Sequence, residues 1–157
     1  PYTFSKLNVE DYFEDCSEEV GLELETRGIE LVYANYVEKD VMVIADGEQI
    51  RRVIHNIISN AIKYMDKPKG IIQIRIKDVG DFIQVEIEDN GKGIPEEKLK
   101  DIQKVLEENT SSEYFAVSNI NSLIKLKYGS GYGVTITSKY EEWTKVQIVM
   151  PANMERV

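Results

Sequence analysis

Asn56, Asn60 and Lys63 recur at helical spacing in the run "HNIISNAIKY", with Arg52 one further turn upstream. On a helix turning about 100° per residue, Ile50, Val53, Ile54, Ile57, Ile58, Ala61 and Ile62 form one broad apolar arc. Arg52, Asn56, Asn60 and Lys63 fall on a narrow polar stripe beside it. Carboxamides and an ammonium at the margin of a buried face can meet an anionic ligand, and an amide oxygen suits Mg²⁺, which prefers oxygen donors. The same spacing fits a solvated helix face. His55 lies more than a quarter turn from Asn56, at the far edge of the apolar arc, and reads as a structural histidine rather than a ligand or phosphoacceptor.

The second constellation is "IEDNGKGIPEEKL", residues 87–99. Ile83, Val85 and Ile87 share the apolar face of a strand, and alternation puts Asp89 on that same side. An inward carboxylate is costly unless something donates to it. The exocyclic amino group of a purine is one candidate donor, and a buried threonine or water is another. Asn90-Gly91 alone would suggest a hairpin turn, but Pro95, Glu96 and Glu97 read as the first turn of a helix. Gly91 and Gly93 then sit in a strand-to-helix loop, where missing side chains let a flat ligand approach the backbone.

The elements that must position these residues follow from periodicity. Val9, Tyr12, Phe13, Cys16 and Val20 mark a first amphipathic helix ending before Gly28, and a long helix runs from about Gly47 to Tyr64. "IELVYANY" and "VMVIA" read as strands, and "IIQIRIK" and "FIQVEIE" form a hairpin across "DVGD". "VSNINSLIKLKY" reads as another helix, and "YGVTITS" and "TKVQIVM" close the chain as two strands. Strands polar on one face pack helices on the other side only. The expected fold is therefore α/β, a two-layer sandwich with a mixed, mostly antiparallel sheet and helices on one face.

Composition narrows the chemistry. At 157 residues, with 42% hydrophobic and 30% charged residues, the chain is expected to form a single domain, residues 1–157. Opening at Pro1-Tyr2 without an initiator methionine, it is expected to be a fragment of a longer protein. The lone Cys16 and lone His55 exclude a disulfide framework and multi-histidine zinc chemistry. A net charge of -9 argues against general nucleic-acid or anionic-membrane binding, so a polyphosphate would need local lysines, backbone donors or a metal ion. No apolar run approaches the roughly 18–20 residues of a membrane span.

The two constellations together resemble a known family. "HNIISNAIKY" looks like the N box, and "DNGKGI" the G1 box, of the histidine-kinase, gyrase, chaperone and mismatch-repair ATPase superfamily. Asp46, opening "DGEQIRRVIHNIISNAIKY", is typical of sensor histidine kinases, and the resemblance runs in order from about Ser5 to Pro151. It implies the Bergerat ATP-binding fold, ATP and Mg²⁺ as ligands, and a cytoplasmic location. It implies as partners a histidine-containing dimerisation domain and a response regulator, with no direct membrane contact from this domain. Carried over residue by residue, Asn60 would coordinate Mg²⁺ on the ATP phosphates with Asn56 supporting it. Lys63 would reach phosphate, and Tyr64 would pack on adenine. Asp89 would accept from the adenine amino group, Gly91, Gly93 and Ile94 would shape the base pocket, and Thr144 would help hold Asp89 or a water.

"YGSGYGV", residues 128–134, carries three glycines, yet it follows a helix and leads into a strand. A phosphate-cradling loop delivers its amides at a helix N-terminus, so these glycines read as a turn. The family's second glycine box aligns with "SSEYFAVSN", where Tyr114 and Ala116 stand in place of glycines, and Trp143 stands where a glycine usually precedes the threonine. These departures favour, as the alternative, a degenerate kinase domain acting as a regulatory or docking module. Asn56 occupies the position where self-contained ATPases of the superfamily carry a general-base glutamate, which argues against that third reading.

Overall fold

The computed structural model describes residues 3–108 and 133–152. Among these residues, seven strands and three helices follow in the order β1 (Ser5–Asn8), α1 (Val9–Thr26), β2 (Glu30–Asn35), β3 (Met42–Ala45), α2 (Gly47–Lys63), β4 (Ile71–Asp78), β5 (Phe82–Asp89), α3 (Glu96–Glu108), β6 (Gly133–Lys139) and β7 (Trp143–Pro151). The predicted helix 117–128 and the glycine-rich turn up to residue 132 lie outside the described residues, as do Tyr114 and Ala116. Gly133, the last of the three glycines, opens β6 with φ 141°.

The helix starts have local causes. Asn8 caps α1 by accepting the Asp11 N–H at 2.9 Å, and Asp46 caps α2 through the Glu48 and Gln49 amides at 3.1 and 3.2 Å. The other Asp46 oxygen accepts the Thr3 N–H at 2.9 Å, tying the incoming chain to the start of α2. Gly28, at φ 69°, ends α1 as expected.

The main sheet has the order β2-β4-β5-β7-β6, parallel only between β2 and β4. β3 stands outside it in a second, two-stranded sheet, antiparallel to β1, a short strand the sequence did not reveal. Ile72, Ile74, Ile76, Ile83, Val85, Ile87, Val134, Ile136, Val146, Ile148 and Met150 form the buried inner face. They share one core with Phe13, Val20 and Leu24 of α1, Ile50, Ile54 and Ile58 of α2, and Ile102 and Leu106 of α3. The sandwich expected from patterning is the observed fold.

The outer face carries a charge cluster centred on Glu86, which is 4% exposed. Arg75 Nε and Lys77 Nζ each approach one Glu86 oxygen at 2.9 Å. Gln147 and Gln84 donate to the other at 2.7 and 2.8 Å. Burial alone would raise the Glu86 pKa, but the hydrogen bonds from Arg75, Lys77 and Gln147 outweigh it and lower it to about 2. A depressed carboxylate stabilises the fold above its unfolded pKa, and that stabilisation is lost as pH falls through the folded value. Glu86→Gln is thus expected to lower unfolding free energy by about 2 kcal/mol at neutral pH, allowing for solvent screening at Lys77. In urea titrations the gap to the parent chain should close between about pH 4.5 and 2.

Candidate functional site

Three segments converge at the C-terminal end of α2. Tyr64 caps that helix, its N–H bonded to the Asn60 carbonyl at 3.1 Å. The Tyr64 carbonyl in turn accepts the Lys92 N–H at 3.1 Å, docking the 90–95 loop onto α2. Asn90 pins the loop's start: its Oδ1 accepts the Ile71 N–H at 2.8 Å and its Nδ2 donates to the Lys69 carbonyl at 2.9 Å. It works as a brace rather than a hairpin corner.

Asp89 ends β5 between Ile72 of β4 and Thr144 of β7. Its carboxylate is on the inner side, as alternation required, and Oδ1 accepts the Gly91 N–H at 2.9 Å. Burial pushes its pKa up to about 6; the Gly91 hydrogen bond opposes this, Glu88 adds to it and Lys67 opposes it. Gly91 has no room for a side chain, since a Cβ there would lie 2.9 Å from Asp89 Oδ1 and 3.0 Å from the Tyr64 carbonyl.

Ser138 joins the loop to the β6–β7 hairpin. Its hydroxyl accepts the Ile94 N–H at 2.8 Å and donates to the Trp143 carbonyl at 2.6 Å. The Ser138 hydroxyl also lies 3.0 Å from that of Thr144, and either of the two can be the donor. Thr144 is thus partnered by Ser138 and pairs with Asp89 in the β5–β7 register.

Between these segments lies a cavity of about 230 Å³. Ile57, Asn60, Ala61 and Tyr64 line it from α2, Asp89 from β5, and Lys92, Gly93, Ile94 and Pro95 from the loop. Lys98 of α3 and Ile136, Tyr140, Thr144 and Val146 of the β6–β7 hairpin complete it. Six of the nine residues singled out from sequence line it: Asn60, Tyr64, Asp89, Gly93, Ile94 and Thr144. Gly91 is buried just beneath, against Asp89. Asn56 is exposed, and Lys63 places its ammonium 5.3 Å from the centroid of the Tyr64 ring. His55 is among the residues facing α1, with Nε2 4.0 Å from Glu19.

Lys92, Lys98, Ser138 and Tyr140 were not singled out from sequence. Lys92 sits inside the quoted "DNGKGI", so a search for local cations around that motif would have found it. The others gave no local signal. Chemically, the cavity offers a carboxylate acceptor among apolar walls, a carboxamide and two lysines. That set suits a flat, amino-bearing heterocycle carrying anionic groups.

The histidine kinase-, DNA gyrase B-, and HSP90-like ATPase family matches residues 45–154. The chain belongs to this family. Sporulation kinase B of Bacillus subtilis (strain 168) is 24% identical over 139 residues, covering 83% of this chain and 32% of that kinase. The aerobic respiration control sensor protein ArcB of Escherichia coli (strain K12) is 40% identical over 60 residues, 38% of this chain and 8% of ArcB. The chain thus spans about a third or less of these two relatives. Among solved structures, the catalytic domain of histidine kinase ThkA superposes with a TM-score of 0.73 at 19% identity, covering 95% of this chain and 97% of that one. Full-length ShkA in complex with AMPPNP gives 0.74 at 14% identity, over 100% of this chain and 33% of ShkA. At these identities the structural likeness establishes the fold. As a histidine kinase-like ATPase domain, the chain has the two-layer architecture that its N box and G1 box implied. Among the described residues no helix is long and apolar enough to cross a membrane.

Proposed function

We propose that this chain is the ATP-binding catalytic domain of a two-component sensor histidine kinase. It binds Mg-ATP and presents the γ-phosphate to a histidine on a separate dimerisation domain, with a response regulator as the downstream partner. The observation that carries this reading is Asp89, a carboxylate lining an otherwise largely apolar cavity, whose donor among the described residues is the Gly91 amide. An adenine amino group would complete its hydrogen bonding, with Tyr64 packing on the base. The relatives' identities support the same reading, as do the AMPPNP complex of ShkA and the complex of ThkA with its response regulator TrrA.

The donor set fits a magnesium nucleotide. No cluster of three His, Cys, Asp or Glu side chains gathers for a metal among the described residues. A hard cation would instead be held by the Asn60 carboxamide oxygen, by water and by the nucleotide's own phosphates. Asn56 stands one turn before Asn60. Bound there, Mg²⁺ would neutralise phosphate charge. Lys92 and Lys98 at the cavity, with Lys63 beside Tyr64, supply the local positive charge that an acidic chain needs for a polyphosphate. Catalysis in this reading is positioning and charge neutralisation. The accepting histidine belongs to another domain, since His55 faces Glu19 and does not line the cavity.

Calorimetric titration of Mg-ADP and Mg-ATP tests this. Both are expected to bind, with affinity about tenfold lower when EDTA replaces Mg²⁺. Asn60→Ala should lose that Mg²⁺ dependence while keeping residual base binding. No binding of either nucleotide at millimolar concentration would sink the reading. Tyr114 and Ala116 at glycine positions favour a second reading, a kinase-derived regulatory module. That one predicts that ATP binds no more tightly than ADP.

A further inference from the structure

We propose that the turn between β6 and β7 is a second wall of the nucleotide site, with Tyr140 packing on the base and Lys67 holding the turn in place. The inference rests on the nucleotide reading above and extends it to residues outside the N and G1 boxes.

Tyr140 is 45% exposed, yet it lines the cavity, as does the 42%-exposed Tyr64. Two large aromatic surfaces from different elements are thus left open at one site, where a flat ligand would cover both. The turn is anchored to the loop that carries the base pocket. The Glu141 N–H donates to the Lys92 carbonyl. Lys67 Nζ donates to the Glu141 carbonyl at 2.9 Å and to the Gly91 carbonyl at 3.2 Å, so one ammonium clasps turn and loop together. Asp66, 2.9 Å from that ammonium, fixes its direction.

Glu141 also has φ 70°, a left-handed conformation that a free hairpin turn normally assigns to glycine or asparagine. Such strain persists only where surrounding contacts over-determine the backbone, and it concentrates at ligand clamps. Here the contacts are the hydrogen bonds on either side of Glu141. A turn that merely linked two strands would carry glycine or asparagine at that position and would not need the clasp.

The test is Mg-ADP affinity by calorimetry on the full chain, with Asp89→Asn as the reference for loss of the base pocket. Tyr140→Ala is expected to weaken binding about tenfold, the scale of one base–aromatic contact. Tyr140→Phe should stay within about twofold because it keeps the ring. Lys67→Met should weaken binding about threefold and speed hydrogen exchange at the Glu141 amide, and Lys67→Arg should restore both. Unchanged affinity in Tyr140→Ala, while Asp89→Asn abolishes binding, would overturn the inference and leave the nucleotide site standing. Equal losses in the alanine and phenylalanine variants would overturn the ring contact. If the parent chain binds no Mg-ADP, the proposed function fails and this inference goes with it.

Discussion

Asp89→Asn is expected to abolish nucleotide binding and, at neutral pH, to make the unliganded protein more stable. The two effects have one cause. Asp89 is held among apolar groups at the inner end of β5, and burial raises its pKa from 3.8 to about 6. A group whose folded pKa is raised contributes stability that is fully present below the unfolded value and is lost as pH rises through the folded one. For Asp89 that window runs from about 4 to about 6, and above it the ionised carboxylate costs on the order of 3 kcal/mol. Asparagine keeps the oxygen that accepts the Gly91 N–H but carries no charge to desolvate. Its amide must still find partners, so a gain of about 1–2 kcal/mol near pH 7.5 is expected, shrinking toward zero near pH 5. Urea unfolding of both chains at the two pH values measures this. A stability loss at pH 7.5 would show that the carboxylate is not strained in the unliganded fold.

Binding should move the other way. The amide presents a donor as well as an acceptor, so it cannot receive an amino group as a carboxylate does. A site built to hydrogen-bond a donor discriminates strongly because the mismatch leaves buried polar groups unpaired. In the proposed reading, Asp89 is a local rule broken where function needs it: a charge on the core face of a strand.

That rule-breaking is why Asp89 was legible in the sequence, where the strict alternation of Ile83, Val85 and Ile87 fixed the direction of the next residue but one. Helix α2 was legible for a similar reason, its apolar arc being nearly continuous. The polar stripe beside that arc was less informative. The cavity-facing line is Ile57, Asn60, Ala61 and Tyr64. Asn56 and Lys63 fall off its edge, so helical spacing gathered a stripe that only partly faces the site. What stayed hidden depends on contacts between distant positions. Lys67 reaches Glu141 across 74 residues and Gly91 across 24, and Ser138 reaches Ile94 across 44. No local pattern encodes those distances, nor the parallel pairing of β2 with β4, nor a strand as short as β1.

Gly93→Ala is expected to cost about 3 kcal/mol or more and to remove nucleotide binding. Two penalties add at this position. Gly93 has φ 74°, where a side chain costs about 1–2 kcal/mol. A Cβ would also overlap the Lys139 carbonyl oxygen and lie 2.9 Å from Tyr140 Cα and 3.0 Å from the Glu141 nitrogen. These are backbone atoms and cannot rotate away. The loop would have to lift off the β6–β7 turn, breaking the bond from the Glu141 N–H to the Lys92 carbonyl and that from the Ile94 N–H to Ser138. Gly80 separates the two penalties. It sits in the β4–β5 turn at φ 87° with nothing within 4 Å of a built Cβ, so Gly80→Ala pays the conformational cost alone. The difference between the two variants in urea unfolding is the steric cost of pressing loop and turn together. If Gly93→Ala loses no more stability than Gly80→Ala and still binds Mg-ADP, the turn does not bear on the loop and Tyr140 has no fixed seat beside the base. A larger loss at Gly93, accompanied by lost binding, would mean that the pocket's shape depends on a glycine chosen for what lies above it.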